Sequence, residues 1–212
     1  MRWLFLDNLD NIKKFEELLL SVERDGINEL VEFIRKSDFY KAPASTRFHS
    51  SYEGGLLQHS LNVYQCLVSK YEAPIWSENL KEFKKDSIIL VSLLHDLCKI
   101  YFYEKEYRNK KIYSESGSKR DAGGRFDWET VETYTIDDKY PLGHGAKSVI
   151  FIQHFIKLDM KEILAIVHHM GFSEPKEEYN SVGKSMETCP LVLALHEADM
   201  EATYLMEETP DE

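Results

Sequence analysis

Cysteine is scarce in this chain, and so is positive charge. The three cysteines, Cys66, Cys98 and Cys189, fall in or at the start of helical patterns with no paired spacing. That excludes a disulfide framework and a CxxC zinc site, and is the usage of reduced thiols in a cytosolic protein. No stretch has the uncharged length of a membrane-spanning helix. The opening run Met1-Arg-Trp-Leu-Phe-Leu-Asp7 meets an acid too early for a secretory apolar region. A cytoplasmic protein is the expectation. Basic residues number 26 against 37 acidic ones, a net charge of −11. Affinity for a long phosphate backbone comes mainly from Lys and Arg, so an extended nucleic acid is disfavoured as a partner. A small phosphorylated molecule is not, because bound metal and a few local cations can hold one or two phosphates. Repeats and low-complexity linkers are also missing, and 212 residues, 43% of them hydrophobic, suit one well-filled core.

What is present is mostly helical periodicity. Residues 8–22 and 27–37 read as two amphipathic helices, followed by a loop over residues 37–55. A helix then runs from the two glycines 54 and 55 to about Tyr71, ahead of Pro74. Residues 84–100 read as a buried helix, apolar almost all round. Residues 101–136 break the pattern. Aromatic and β-branched residues alternate there around a polar, glycine-bearing centre at 114–124, which predicts a two-stranded hairpin with a mobile tip. Helices return at 143–157, 160–170 and 190–207, and the acidic end from Glu207 is expected to fray. The fold class is all-α with a small inserted β hairpin: one domain, with N-terminal helices over 1–47 and a core over 48–207 that holds the histidines and acids described next.

Several histidines and acids sit where solvent should not reach. His59 shares a helical stripe with Leu56, Val63 and Leu67. The doublet His95-Asp96 ends an apolar run, and Asp199 lies in line with Val192, Leu195, Ala202 and Met206. A single histidine on an apolar face is usually a satisfied core residue. Imidazoles and carboxylates aimed inward from three helices are costly unless paired or bound to metal, which suggests that they meet. His144 opens a helix in line with Phe151 and Phe155, flanked by Gly143 and Gly145, which permit close backbone approach. His168 and His169 lie on opposite flanks of a buried face formed by Ile163, Ile166, Val167 and Met170, and periodicity does not choose between them. Mixed imidazole and carboxylate donors are the taste of Mn, Fe, Ni, Co or Zn. Lys99, three and four residues beyond the doublet, projects from the same side of its helix, either toward a phosphate or as a cap for the helix end. Lys147 and His49 are weaker candidates for substrate contact. His154 shares a face with Lys147, Lys157 and Lys161, a solvated stripe, and carries no assigned role, and His196 sits beside the Asp199 stripe. The aromatic run after Ile100 either stacks on a base or packs on its own domain. No serine or cysteine has a base partner outside the histidine set.

The order His59…His95-Asp96…His144…His168-His169…Asp199 resembles the HD superfamily of metal-dependent phosphohydrolases, named for the doublet. Local runs resemble small stand-alone bacterial and phage members: Tyr52-Glu-Gly-Gly-Leu-Leu-Gln-His59, Leu94-His-Asp-Leu-Cys-Lys99, Pro141-Leu-Gly-His-Gly-Ala-Lys-Ser148 and His169-Met-Gly171. The resemblance implies an HD-type helical domain with one or two divalent ions (Mn, Fe, Ni, Co, Zn or Mg). His59, His95, Asp96 and Asp199 would hold the first ion, and Asp96 would bridge to a second near His144, with His169 favoured over His168. It also implies a lysine at position 99 that touches a substrate phosphate. The expected activity is hydrolysis of a phosphomonoester or phosphodiester, in a nucleotide or a short nucleic-acid end, by metal-activated water. The Gly-Tyr-Pro signature of cyclic-di-GMP phosphodiesterases is missing after His168-His169. Two rival readings are a di-iron oxygenase with the same ligand order and a non-catalytic, metal-stabilised binding or regulatory module.

Overall fold

The computed structural model describes residues 8–207; the first seven residues lie outside it, as do the last five. Nine α-helices are described: α1 (Asn8–Leu20), α2 (Ile27–Lys36), α3 (Gly55–Glu72), α4 (Pro74–Leu80), α5 (Lys85–Leu94), α6 (His144–Gln153), α7 (Met160–Val167), α8 (Tyr179–Thr188) and α9 (Pro190–Glu201). Three strands, β1 (Tyr103–Tyr113), β2 (Lys119–Asp121) and β3 (Gly124–Ile136), interrupt the helices between α5 and α6. None of the described helices is long and apolar enough to cross a membrane.

α3 is the central helix. It packs against α5 on one side and α9 on another, while α7 joins α9 to α6. One continuous apolar core draws on all these helices and on α1 and α2, through Phe15, Leu19, Leu30, Ile34, Leu56, Leu67, Ile89, Ile152, Ile166 and Leu195. A buried charged set fastens α7 to the α5 side of the core. Glu162, fully buried, accepts two bonds from the Arg24 guanidinium and one from the Ser87 hydroxyl. The same carboxylate completes the Asp159 capping box at the start of α7.

The structure corrects the sequence reading in four places. The helix expected over 84–100 stops at Leu94 and gives way to a 3-10 turn, Leu97–Lys99. The reason is local: the His95 ring nitrogen Nδ1 donates to the Ser92 carbonyl, 2.9 Å away, and Asp96 leaves the helical region at φ −103°, ψ 20°. Helices α4 and α8 were not foreseen. The expected two-stranded hairpin is a three-stranded antiparallel sheet of order β1-β3-β2, because the residues beyond the first turn pair back along β3. Finally, the last helix passes at Ala202–Met206 into a π-helical turn and Glu207 is held by His59, while the fraying expected beyond it falls at 208–212, outside the described residues.

The sheet is an arm whose strands pack mainly on one another. Its register runs from Tyr103 opposite Ile136 to Tyr113 opposite Phe126. Alternation then places Tyr103, Tyr107, Tyr113, Phe126, Trp128 and Tyr134 on one face. Only Phe126 among them is buried, under Tyr113, Trp128 and the Lys111 ammonium.

Of the two glycines flanking His144, only one is spatially constrained. A Cβ at Gly145 would lie 2.3 Å from the Ile166 carbonyl oxygen, whereas Gly143 faces open space. Gly145 therefore lets α6 lie directly against the end of α7. Gly145→Ala should cost about 1–3 kcal/mol through forced separation of the two helices, and Gly143→Ala should leave urea unfolding unchanged; equal midpoints for both variants would contradict this packing.

Candidate metal centre

Four elements send polar side chains to one buried point. His59 comes from the second turn of α3, His95 and Asp96 from the end of α5, His169 from just past α7, and Asp199 from α9. His59, His95, Asp96 and His169 are each less than 5% exposed, so they answer to one another and not to bulk water.

The two histidines at helix ends are held in the same way. His95 bonds through Nδ1 to the carbonyl three residues back, and His169 does so with Ile166 at 2.7 Å. A carbonyl only accepts, so in both rings Nδ1 carries the proton and Nε2 presents a lone pair to the centre. These bonds also satisfy carbonyls that the ends of α5 and α7 would otherwise leave unpaired. His196 on α9 steadies the second case, bonding through Nδ1 to the His169 carbonyl at 2.7 Å.

The Nε2 atoms converge. His59 Nε2 lies 3.3 Å from His95 Nε2, 3.2 Å from Asp199 Oδ1 and 3.7 Å from Asp96 Oδ2. The two oxygens of Asp96 face different neighbours: Oδ2 is 3.5 Å from His95 Nε2, and Oδ1 is 3.6 Å from His169 Nε2. His169 Nε2 is buried without a hydrogen-bond partner among the described residues. Such an orphaned atom is expensive unless something binds it. Donors on adjacent corners around a divalent ion, each about 2.0–2.2 Å from it, stand roughly 3–3.5 Å apart. The spacings observed here fit that demand. The triads His59, His95, Asp199 and His95, Asp96, His169 are each compact enough to hold an ion.

Lys99 also reaches the centre. Its ammonium lies 2.6 Å from Asp96 Oδ2 and donates to the Ala44 carbonyl at 2.7 Å. The Tyr103 hydroxyl, at the root of the arm, donates to that same carbonyl. Lys99 therefore does not cap its own helix end; it ties the doublet to the loop before α3.

The remaining candidates are placed less closely. His144, half-buried at the start of α6, lies with Nδ1 3.4 Å from the Cys98 thiol and stacks edge-on with Phe102. His49 stacks on His59 at 5.1 Å between ring centres. His168 is not brought to the centre: it is half-buried on the flank of α7, in the field of Glu174 and Glu178. Lys147 is not on a solvated stripe; it is buried, paired with Asp138 at 2.5 Å and set over the Phe102 ring. His168 stands where α7 ends, at φ −108° and ψ 18°, and Lys147 is covered by Asp138 and Phe102 from before α6, which periodicity alone does not see. His154 is exposed at the end of α6.

Sequence reasoning missed Glu207. Its carboxylate accepts from His59 Nδ1 at 2.9 Å, from Asn62 Nδ2 at 3.1 Å and from the Ser50 hydroxyl at 2.7 Å. No pattern pointed to it, since it follows an irregular turn in an acidic run.

Burial opposes charge on every member of the cluster, and the neighbours decide which groups ionise anyway. For His59, Glu207 and Asp199 outweigh desolvation and raise its pKa to about 10. For His95 desolvation prevails, lowering it to about 4. Burial raises the Asp96 pKa, but Lys99 and the imidazoles hold it well below the usual carboxylate range. Glu207, likewise, falls to about 2 against the effect of its own burial, mainly through His59.

No protein-family model matches the chain, and no solved structure matches it. Over 64 residues the chain is 39% identical to the dihydroneopterin 2′,3′-cyclic phosphate phosphodiesterase of Methanocaldococcus jannaschii. That stretch is 30% of this chain and 25% of the relative, so the chain spans about a quarter of the length of the curated protein it matches.

The electrostatics can be read directly. In the metal-free protein, NMR titration of the histidine rings should show His59 still protonated at pH 8 and His95 neutral down to about pH 5. Loss of the His59 charge near pH 6.5 would mean that Glu207 and Asp199 do not face it as described.

Proposed function

We propose that the chain is a metal-dependent phosphohydrolase of the HD type, acting on a phosphoester of a small nucleotide. The observation that carries this reading is the convergence of three imidazole Nε2 atoms and two carboxylates in one buried centre, with His169 Nε2 left unpartnered. The phosphodiesterase relative supports the reaction class. The name of that enzyme puts its cleaved phosphate in a small cyclic diester, a size compatible with a nucleotide.

In this reading His59, His95, Asp96 and Asp199 hold one divalent ion. Asp96, whose two oxygens face different imidazoles, would also serve a second ion held with His169 and His144. Bound ions supply Lewis acidity toward the phosphoryl oxygens and lower the pKa of water. The protein side chains do the rest. Asp96, whose own carboxylate stays ionised beside Lys99, would orient the attacking water. The Lys99 ammonium uses two of its three donors on Asp96 and Ala44, leaving the third for a phosphoryl oxygen. His144 and His49, each half-buried, form the approach to the centre.

Metal analysis of the purified protein, joined to a panel of phosphomonoesters and phosphodiesters assayed with Mn, Ni, Co, Fe and Mg, tests the proposal. Asp96→Ala should lose metal and turnover together, while His154→Ala should change neither. Normal metal content and turnover in the Asp96 variant would remove the assigned centre.

Lys99 separates ligation from catalysis. Lys99→Ala should keep its metal, since a protonated amine is no ligand, and lose about two orders of magnitude in rate. A variant with lowered melting temperature but wild-type kinetics would show that Lys99 serves only to fasten the Ala44 loop.

A further inference from the structure

Glu207 lies where a regular helix would not put it. At 3.6 residues per turn, the eight residues from Asp199 would leave it roughly 80° away from the Asp199 side. The chain instead winds through a π-helical turn at Ala202–Met206. A π turn holds nearly one residue more than an α turn, so one of each takes up about eight residues. The slip brings Glu207 back to the face that carries Asp199, and both acids meet His59 from the same helix.

They meet opposite sides of the ring. Asp199 faces Nε2 at 3.2 Å, and Glu207 faces Nδ1 at 2.9 Å. Each carboxylate oxygen of Glu207 is committed: Oε1 accepts from His59 and Asn62, and Oε2 from Ser50. Asn62 stands three residues beyond His59 on α3, and Ser50 closes the loop before that helix. The carboxyl group is thus fixed by three donors from two elements. Unlike His95 and His169, His59 lies inside a helix, and its Nδ1 is bonded to a side-chain carboxylate and not to a helix-end carbonyl. Glu207 supplies the missing acceptor.

We propose that Glu207 is the positioning residue of the metal centre, holding the proton of His59 on Nδ1 so that Nε2 is presented to the ion. This rests on the metal-centre reading above. It implies that the site is complete only when the π turn after α9 has docked against α3. The competing role is direct ligation, since His49, His59 and Glu207 are also compact enough to hold an ion.

The test is Mn2+ binding to the full-length protein, by calorimetry, for wild type, Glu207→Ala and Glu207→Gln, with the melting temperature of each metal-free form. Removing an acceptor behind a ligating histidine typically weakens metal binding 10–100-fold. Glu207→Ala should show that loss at unchanged stoichiometry. Glu207→Gln, which keeps an oxygen for His59 and can reorient toward the Ser50 hydroxyl, should recover most of it. Wild-type affinity in the alanine variant, with or without a lower melting temperature, overturns the positioning role and leaves the metal centre standing. Loss of one Mn2+ equivalent, with the remaining affinity unchanged, overturns it in favour of ligation. Failure of the wild type to bind Mn2+ or any other divalent ion overturns the centre itself, and this inference with it.

Discussion

Everything in the helical body is arranged around a cost: three imidazoles, two carboxylates and an ammonium share a site that water scarcely enters. Isolated ionised groups in such surroundings are strongly disfavoured. The fold lowers the cost by anchoring the far side of each ring. His95 and His169 spend Nδ1 on carbonyls at helix ends, and His59 spends it on Glu207. Asp96 is balanced by Lys99. What these anchors leave open points inward, toward a common centre. The helix ends at Leu94 and Val167 therefore belong to the site as much as to the fold: a carbonyl released by a terminating helix is what orients His95 and His169.

Long periodic segments were legible in the sequence. The inward face of α3 with His59 and that of α9 with Asp199 follow from apolar stripes, and the break after Ile100 from lost helical period. The choice of His169 over His168 was not readable from spacing, because both flank the buried stripe of α7. It is decided by the turn after Val167, where His168 leaves the helical region and His169 folds back onto Ile166. Lys147 misled for a related reason. Its neighbours in sequence suggest solvent, but Asp138 and Phe102, contributed from before α6, bury it. Glu207 was invisible because a π turn changes the angular count, and no residue type announces one.

The arm between α5 and α6 obeys different rules from the body. It shows no shared core with the helices, and its aromatic face is stabilised by neighbours on its own strands. Its root reaches the centre through Tyr103, whose hydroxyl meets the Ala44 carbonyl that Lys99 also uses.

The geometry of that root has an evolutionary corollary. Tyr103 and Ile136 face each other across a single antiparallel rung, and the Asp137 amide bonds to the Phe102 carbonyl just below it. The chain thus leaves the body and returns to it within about 5 Å. Thirty-odd residues form a detour between two points that a tight turn can join. A segment attached in this way can lengthen, shorten or vanish in related chains without rethreading a helix, so the arm is free to diverge at a pace the histidine cluster cannot follow.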